Sequence, residues 1–232
     1  MAKARWTWLL VAALVGLGAC KDHGTDEEGT DGGDVDAEAQ AGFGKDRRQP
    51  KGTPLSLPAG VQVSGTIVGA DDDGNCGQPQ TADVGSGLYV RACLKLTNIS
   101  GGPVQVTFPP GLVIVSASEG YQNGLLVERV VITVPPTSGG PGGLDGGSNP
   151  ETVNVPLHFY CINKASDPSD PAARYELGPI TDHPQMRELY TLLQGKDVYE
   201  DGLKVEVVQE AVYSISDGSG LTADDRAALR NL

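Results

Sequence analysis

Cysteine side chains hold much of the reactive chemistry available to this 232-residue sequence. Besides Cys20 near the N-terminus, the cysteines are Cys76, Cys93 and Cys161. In an oxidising compartment two of these three thiols are expected to pair, which leaves one over. Two pairings compete: Cys76 with Cys93, and Cys93 with Cys161. We favour the first, which closes a loop of moderate length and would contribute about 3 kcal/mol through chain entropy.

The first residues have the pattern of an export signal. Lys3 and Arg5 form a positive region, and residues 6–17 are an apolar stretch. That stretch is too short to span a bilayer, which takes about 20 residues. Its length instead fits the apolar region of a signal peptide, so we expect residues 1–19 to direct export.

Cys20 directly follows this signal, after two small residues. The residues are Leu17-Gly18-Ala19-Cys20, which resemble the lipobox of bacterial lipoproteins. The resemblance implies cleavage before Cys20 and acylation of its sulfur and its new amine. Several acyl chains anchor a protein firmly. The alternative is an ordinary secretory signal with an incidental cysteine. Because Lys21 is not the Asp of an inner-membrane retention signal, an outer-membrane location in the cell envelope is favoured.

The segment from residue 20 to 57 is polar, and its first part is acidic. Such a stretch cannot bury enough apolar surface to offset the entropy of ordering, so it predicts a flexible tether. The whole chain has a formal net charge of -13. This charge argues against nucleic acid as a partner, because phosphate binding needs a basic surface. The membrane, reached through the lipid anchor, is the partner that the sequence indicates most directly.

Two short segments in the second half of the chain carry a further chemical hypothesis. They are Tyr160-Cys161-Ile162-Asn163 and Val208-Gln209-Glu210-Ala211-Val212-Tyr213. Together they resemble the signature segments of bacterial thioester domains, which are surface adhesins. The resemblance implies that the Cys161 thiolate attacks the Gln209 carboxamide, and that the thioester then captures an amine on a partner. Tyr160 and Tyr213 would provide the apolar cover. The alternative is that Cys161 is a small buried residue or a disulfide partner, and that Gln209 is an ordinary helix position.

Other reactive residue types do not form a known catalytic pattern. Asp71, Asp72 and Asp73 before Gly74 are a weak calcium candidate, because the spacing is not that of an EF-hand and no Glu closes the loop. We therefore expect a solvated turn and no metal. His158 and His183 are the plausible histidine bases, but no nucleophile elbow, zinc motif or phosphate-binding loop accompanies them. We expect no cofactor.

The elements that must position these residues are mostly strands. One segment alternates strictly, which indicates a strand with one buried face. Its aliphatic residues are Leu88, Val90, Ala92, Leu94 and Leu96, and the residues between them are Tyr89, Arg91, Cys93, Lys95 and Thr97. Further short strands are predicted at residues 61–70, 104–108, 112–116, 125–134 and 152–162, separated by turn residues. Several such strands point to an antiparallel sandwich.

The C-terminal part changes to a helical period. Met186, Leu189, Tyr190 and Leu193 share one helix face that begins near Asp182, and Val208, Ala211, Val212 and Ile215 repeat the spacing. Residues 204–207 also alternate like a strand, which leaves the start of the second helix open. Thr222 and Asp225 cap a final short helix.

We therefore predict a mainly β protein: an antiparallel, immunoglobulin-like β-sandwich with a small C-terminal helical subdomain. The boundaries are residues 1–19 for the signal, 20–57 for the lipidated tether, 58–165 for the sandwich and 166–232 for the helical subdomain packed on it. The leading functional hypothesis is a non-catalytic envelope lipoprotein for binding, adhesion or assembly, with an unknown surface protein or polysaccharide as partner. The alternatives are the thioester adhesin and, with little support, a hydrolase of envelope polymers.

Overall fold

The computed structural model describes residues 41–46, 48–136, 152–199 and 201–232. The export signal, Cys20 and the acidic run that follows it lie outside the described residues. In chain order the described elements are β1 (Gly52–Pro54), β2 (Val61–Val63), β3 (Ile67–Gly69), β4 (Val90–Asn98), β5 (Val104–Phe108), β6 (Leu112–Ser116), β7 (Gly124–Leu125), β8 (Val130–Val134), β9 (Val153–Cys161), β10 (Arg174–Thr181), α1 (Pro184–Leu193), α2 (Gly202–Ser216) and α3 (Ala223–Arg230).

The main sheet is antiparallel and closes on itself. Its strands follow the order β10, β3, β4, β9, β7, β6, and β6 pairs back to β10. Closure depends on β10, where Tyr175 lies opposite Ile67 on one side and Ser116 on the other. Strands β1 and β2 extend this sheet, while β5 and β8 form a separate two-stranded sheet.

The prediction of a mainly β, antiparallel fold is confirmed, but a two-sheet immunoglobulin-like sandwich describes it only in part. The main sheet has a barrel-like, closed arrangement because β10 pairs on both of its sides. Sequence patterns identify strands without identifying which strands close a sheet. Moreover, residues 174–177 alternate between polar and apolar side chains, but Gly178 and Pro179 interrupt the pattern after four residues, so β10 was missed.

The two faces of β9 belong to two different cores. Val155, Leu157, Phe159 and Cys161 join an apolar cluster with β4, β6 and the β5–β8 pair. Tyr160 and Ile162 point the other way, into a cluster formed with the three helices. This split follows from the two-residue period of a strand, which sends successive side chains to opposite faces.

The helices confirm the helical period. Met186, Leu189 and Leu193 are the buried residues of α1. Its N-cap is His183, one residue after the predicted start, because the imidazole accepts a hydrogen bond from the Gln185 backbone N–H. Residues 204–207 alternate like a strand in the sequence but belong to helix α2 in the structure. The capping box of Thr222 and Asp225 is present at the start of α3.

Two predicted boundaries need correction. Residues 41–57 were predicted as tether, but Phe43 is only 2% exposed and β1 pairs with β10. A single phenylalanine in a polar stretch gave no periodic signal. Likewise, residues 166–181 were placed in the helical subdomain, although β10 belongs to the main sheet. Within the described ranges, no helix is long and apolar enough to cross a membrane.

Candidate functional site

The end of β9 extends beyond the start of its neighbouring strand β4. Strand β4 begins at Val90, which lies opposite Phe159, so β4 does not reach Cys161. On the other side, the Ile162 N–H donates to the Asn123 carbonyl of the segment before β7. Because backbone groups alternate in direction along a strand, the N–H and C=O of Cys161 point toward the side that β4 has vacated.

Helix α2 supplies the side chain that fills this place. The helix begins at Gly202, where the Asp201 side chain accepts a hydrogen bond from the Lys204 N–H as an N-cap. Val208, Ala211 and Val212 are buried on the face that packs against the sheet. Gln209 lies on this face and is only 1% exposed, so its carboxamide is brought against the end of β9.

The Gln209 carboxamide forms two hydrogen bonds with the Cys161 backbone. The Cys161 N–H donates to Gln209 Oε1 at 3.0 Å, and Gln209 Nε2 donates to the Cys161 carbonyl at 2.8 Å. The side chain therefore takes the place of a strand partner. The two residues that the thioester resemblance singled out, 48 positions apart in the sequence, are in direct contact.

This arrangement has the parts that acyl transfer requires. Cys161 provides a thiol, and a thiolate is the strongest nucleophile among the side chains at the site. The carboxamide carbon of Gln209 is the electrophile. The Cys161 N–H already holds Gln209 Oε1, where negative charge would develop, so it can serve as an oxyanion donor.

The site is closed to solvent. Cys161 is 0% and Gln209 1% exposed, while Tyr213 is 5% exposed. Tyr213 follows Gln209 by one helical turn, and its ring belongs to the same apolar cluster as Cys161. Tyr213 thus shares an apolar cluster with Cys161.

The other predicted cover residue lies on the opposite side of the strand. Tyr160 belongs to the cluster beneath the helices, whereas Cys161 belongs to the cluster inside the closed sheet. The Tyr160 hydroxyl forms a hydrogen bond with Ser86 Oγ at 2.9 Å. Burial raises the pKa of Tyr160 well above its usual range, so this hydroxyl stays neutral. Tyr160 does not share the cluster of the Cys161 side chain.

The disulfide predicted between Cys76 and Cys93 is present. Their Cα atoms are 5.3 Å apart, and the bridge spans 17 residues. It holds the loop of residues 71–75 over β4. Cys161 therefore keeps its thiol, and the competing pairing of Cys93 with Cys161 is not formed.

The acidic loop next to this disulfide is stabilised by its own hydrogen bonds. Asp71 Oδ1 accepts from the backbone N–H groups of Asp73 and Asn75, at 3.1 and 2.7 Å. The hydrogen bond from Asn75 contributes most to lowering the pKa of Asp71. Across the described part of the chain, no group of three or more acidic, His or Cys side chains is arranged to hold a metal ion.

The two histidines considered as bases lie in unrelated places. His183 caps α1. His158 lies on β9 opposite Arg91, and its Nε2 is 3.9 Å from Asp83 Oδ2. Burial lowers the pKa of His158. Neither histidine contacts Cys161 or Gln209 in the hydrogen bonds that the structure defines, so the hydrolase hypothesis gains no support from them.

Sequence reasoning missed one charged residue beside the site. Lys164 follows Cys161 by three residues, and its Nζ lies 5.2 Å from the centroid of the Tyr213 ring. Such a contact joins residues far apart in the sequence. It has no local pattern, and only the spacing Cys161-x-x-Lys164 could have drawn attention to it.

A shallow groove of about 350 Å³ lies along β10, away from these residues. Its lining is largely apolar and includes Pro54, Leu55, Leu57 and Leu177. None of the candidate site residues contributes to it, and it contains no ionisable side chain. The groove therefore does not compete with the Cys161–Gln209 pair as a site of chemistry.

Comparisons of this chain with protein-family models, with curated proteins and with solved structures gave no match.

Proposed function

We propose that this chain is a lipid-anchored envelope protein whose β domain forms an internal thioester between Cys161 and Gln209 and captures partner amines covalently. The observation that carries the proposal is the contact of the Gln209 carboxamide with Cys161, through hydrogen bonds of 3.0 and 2.8 Å. Two residues selected for their chemistry from the sequence lie side by side in a closed site.

Thioester formation is a balanced exchange at the Gln209 side chain. The Cys161 sulfur forms a bond to Cδ of Gln209, the Cδ–Nε2 bond breaks, and ammonia leaves with the thiol proton. In the second step a partner amine attacks Cδ, an amide bond forms, the bond from Cδ to the Cys161 sulfur breaks, and the proton lost by the amine restores the thiol. Neither step needs an oxidant, a reductant or a cofactor.

Burial supports the survival of such a bond. Water would hydrolyse an exposed thioester, but Cys161 and Gln209 are 0% and 1% exposed. The Cys161 N–H is fixed on Oε1 before the reaction begins, so little reorganisation is needed when charge develops there.

The mass of the purified full chain tests this proposal directly. Relative to Cys161→Ala, and after allowing for the mass of the substitution itself, the native chain is expected to be lighter by one ammonia. Methylamine should then add at Gln209 and expose a thiol at Cys161 that iodoacetamide can modify. A native chain of full mass whose Cys161 is modified at once after unfolding would contradict the thioester. It would leave the non-catalytic binding domain as the function.

The wider part of the proposal concerns location. The residues Leu17–Cys20 support a lipid anchor on the envelope, with the outer membrane favoured. There the domain would serve binding or adhesion to a surface protein or polysaccharide. This part rests on the lipobox resemblance, while the net charge of -13 argues against nucleic acid as a partner.

Metabolic labelling with a fatty acid tests the anchor. We expect the full chain to take up the label and to fractionate with membranes. Cys20→Ser should remain unlabelled, while Cys161→Ser should be labelled like the native chain. Equal labelling of the Cys20→Ser and native chains would contradict lipidation at Cys20.

A further inference from the structure

A thioester in this site would be sealed from the partners that it should react with. Cys161 and Gln209 have almost no exposed surface, and Tyr213 has only 5%. A partner amine can reach Cδ of Gln209 only if a neighbouring side chain moves. The residue that controls this movement would set the rate at which the thioester reacts with amines.

Two side chains from the segments that carry the pair meet each other. Tyr213 lies one turn beyond Gln209 on α2, and Lys164 lies three residues beyond Cys161 after β9. The Lys164 ammonium is positioned over the Tyr213 ring, 5.2 Å from its centroid. Attraction between an ammonium and the face of an aromatic ring stabilises such a contact.

We propose that Lys164 is an access-controlling residue that holds Tyr213 over the Cys161–Gln209 pair and limits the entry of amines. This inference rests on the proposed thioester function. Lys164 lowers the rate of amine entry in two ways. Its contact with the ring favours the closed position, and its positive charge repels the protonated amines that approach the site.

The chemistry of the thioester itself does not depend on Lys164. The side chain is only half-buried, and the two hydrogen bonds between Gln209 and Cys161 do not involve it. Replacing Lys164 should therefore leave the formation of the thioester unchanged and alter only its reaction with outside amines.

The rate of thiol release by methylamine in the full chain tests this inference. Lys164→Met is expected to lose ammonia as completely as the native chain but to react with methylamine about two- to fivefold faster, which matches the strength of a half-exposed contact of this type. Lys164→Arg keeps a cation that can stack on the ring, so it should retain the slow rate. Lys204→Met, which removes a cation elsewhere on α2, serves as the matched control and should react like the native chain.

The outcomes separate the two proposals. A thioester that reacts at the same rate in Lys164→Met and in the native chain overturns the role of Lys164 and leaves the proposed function intact. A native chain that never loses ammonia overturns the proposed function, and the role of Lys164 falls with it.

Discussion

At the residue scale, the hydrogen bonds of Gln209 and its proposed chemistry oppose each other. Its carboxamide forms hydrogen bonds with the backbone N–H and C=O of Cys161. The proposed thioester would remove Nε2 and with it the hydrogen bond to the Cys161 carbonyl. The proposed reaction would therefore give up part of the hydrogen bonding that brings the two residues together.

The contribution of these hydrogen bonds to stability can be measured once the thiol is removed. In a Cys161→Ala background, Gln209→Met keeps the shape of the side chain but removes both of its hydrogen bonds to the backbone at position 161. Since removing the partner of a buried polar group costs about 1–3 kcal/mol, we expect the free energy of unfolding to fall by about 2–6 kcal/mol. Urea unfolding measures this loss. Gln185→Met, at an exposed position of α1, should stay close to the background, and an equally small effect at Gln209 would show that its hydrogen bonds contribute little.

Glu128 provides a residue-scale prediction about pH. Burial raises the pKa of Glu128, and hydrogen bonding from Ser86 offsets only part of this rise. The folded chain therefore binds more protons than the unfolded chain once the pH exceeds the unfolded value of about 4.3. The stability associated with protonated Glu128 is complete below that value and is lost as the pH rises through the folded pKa.

Glu128→Gln should remove this contribution. We expect the variant to lose less stability than the native chain between acidic and neutral pH, as measured by urea midpoints across that range. Glu210→Gln, an exposed change on α2, should follow the native curve. Parallel curves for Glu128→Gln and the native chain would show that the buried carboxyl does not titrate in this window.

At the element scale, the short strand β7 fixes the position of Cys161 from the other side. Gly124 lies directly opposite Cys161 in the ladder. A Cβ atom at Gly124 would lie 2.6 Å from Phe159 Cβ and 2.9 Å from Ile114 Cγ2, both of which are packed in the core. Only glycine lets β6, β7 and β9 approach this closely.

Gly124→Ala should consequently overpack the core next to the site. The expected cost is about 1–3 kcal/mol in the free energy of unfolding, the usual range for an added methyl group in a filled core. Gly102→Ala is the matched control, because a Cβ there meets no atom within 4 Å. Thermal unfolding of both variants distinguishes a packing effect from a general effect of replacing glycine; equal melting temperatures would contradict tight packing at Gly124.

Local signals explain which elements could be predicted. Alternation identified β4, and the helical period placed Met186, Leu189 and Leu193 on the buried face of α1. The thioester resemblance selected Cys161 and Gln209 because their neighbours are distinctive. By contrast, β10 carries Gly178 and Pro179 within an irregular register, and Lys164 meets Tyr213 only through the tertiary fold. The alternation in β10 covers only residues 174–177 before it breaks, and the contact between Lys164 and Tyr213 has no local pattern.

At the scale of the whole molecule, residues 42–44, near the start of the described part of the chain, belong to the domain. Phe43 packs in the cluster beneath the helices. Asn123 and Asn163 donate hydrogen bonds to the Gly42 carbonyl at 3.0 and 3.2 Å, and the Gly44 N–H donates to the Ile162 carbonyl. The segment therefore docks directly after Cys161, where β9 ends.

Phe43→Ala should destabilise the domain even though it lies outside the predicted sandwich. Removal of a buried aromatic ring costs about 3–5 kcal/mol, and urea unfolding measures the loss. Leu203→Ala is the control, because Leu203 is 83% exposed and should change stability by no more than about 0.5 kcal/mol. A loss at Phe43 as small as at Leu203 would indicate that the segment does not contribute to the folded core.

The docking of residues 42–44 beside Cys161 also determines how the domain would respond to force. A partner bonded to Gln209 and an anchor at the N-terminus would pull on neighbouring points of the fold. The load would fall first on the hydrogen bonds from Asn123 and Asn163, then on the pairing of β1 with β10, and it would reach the long β4–β9 ladder last. After residues 41–57 detach from the domain, they could extend to a length of up to about 60 Å. The molecule would therefore lengthen before its closed sheet opened.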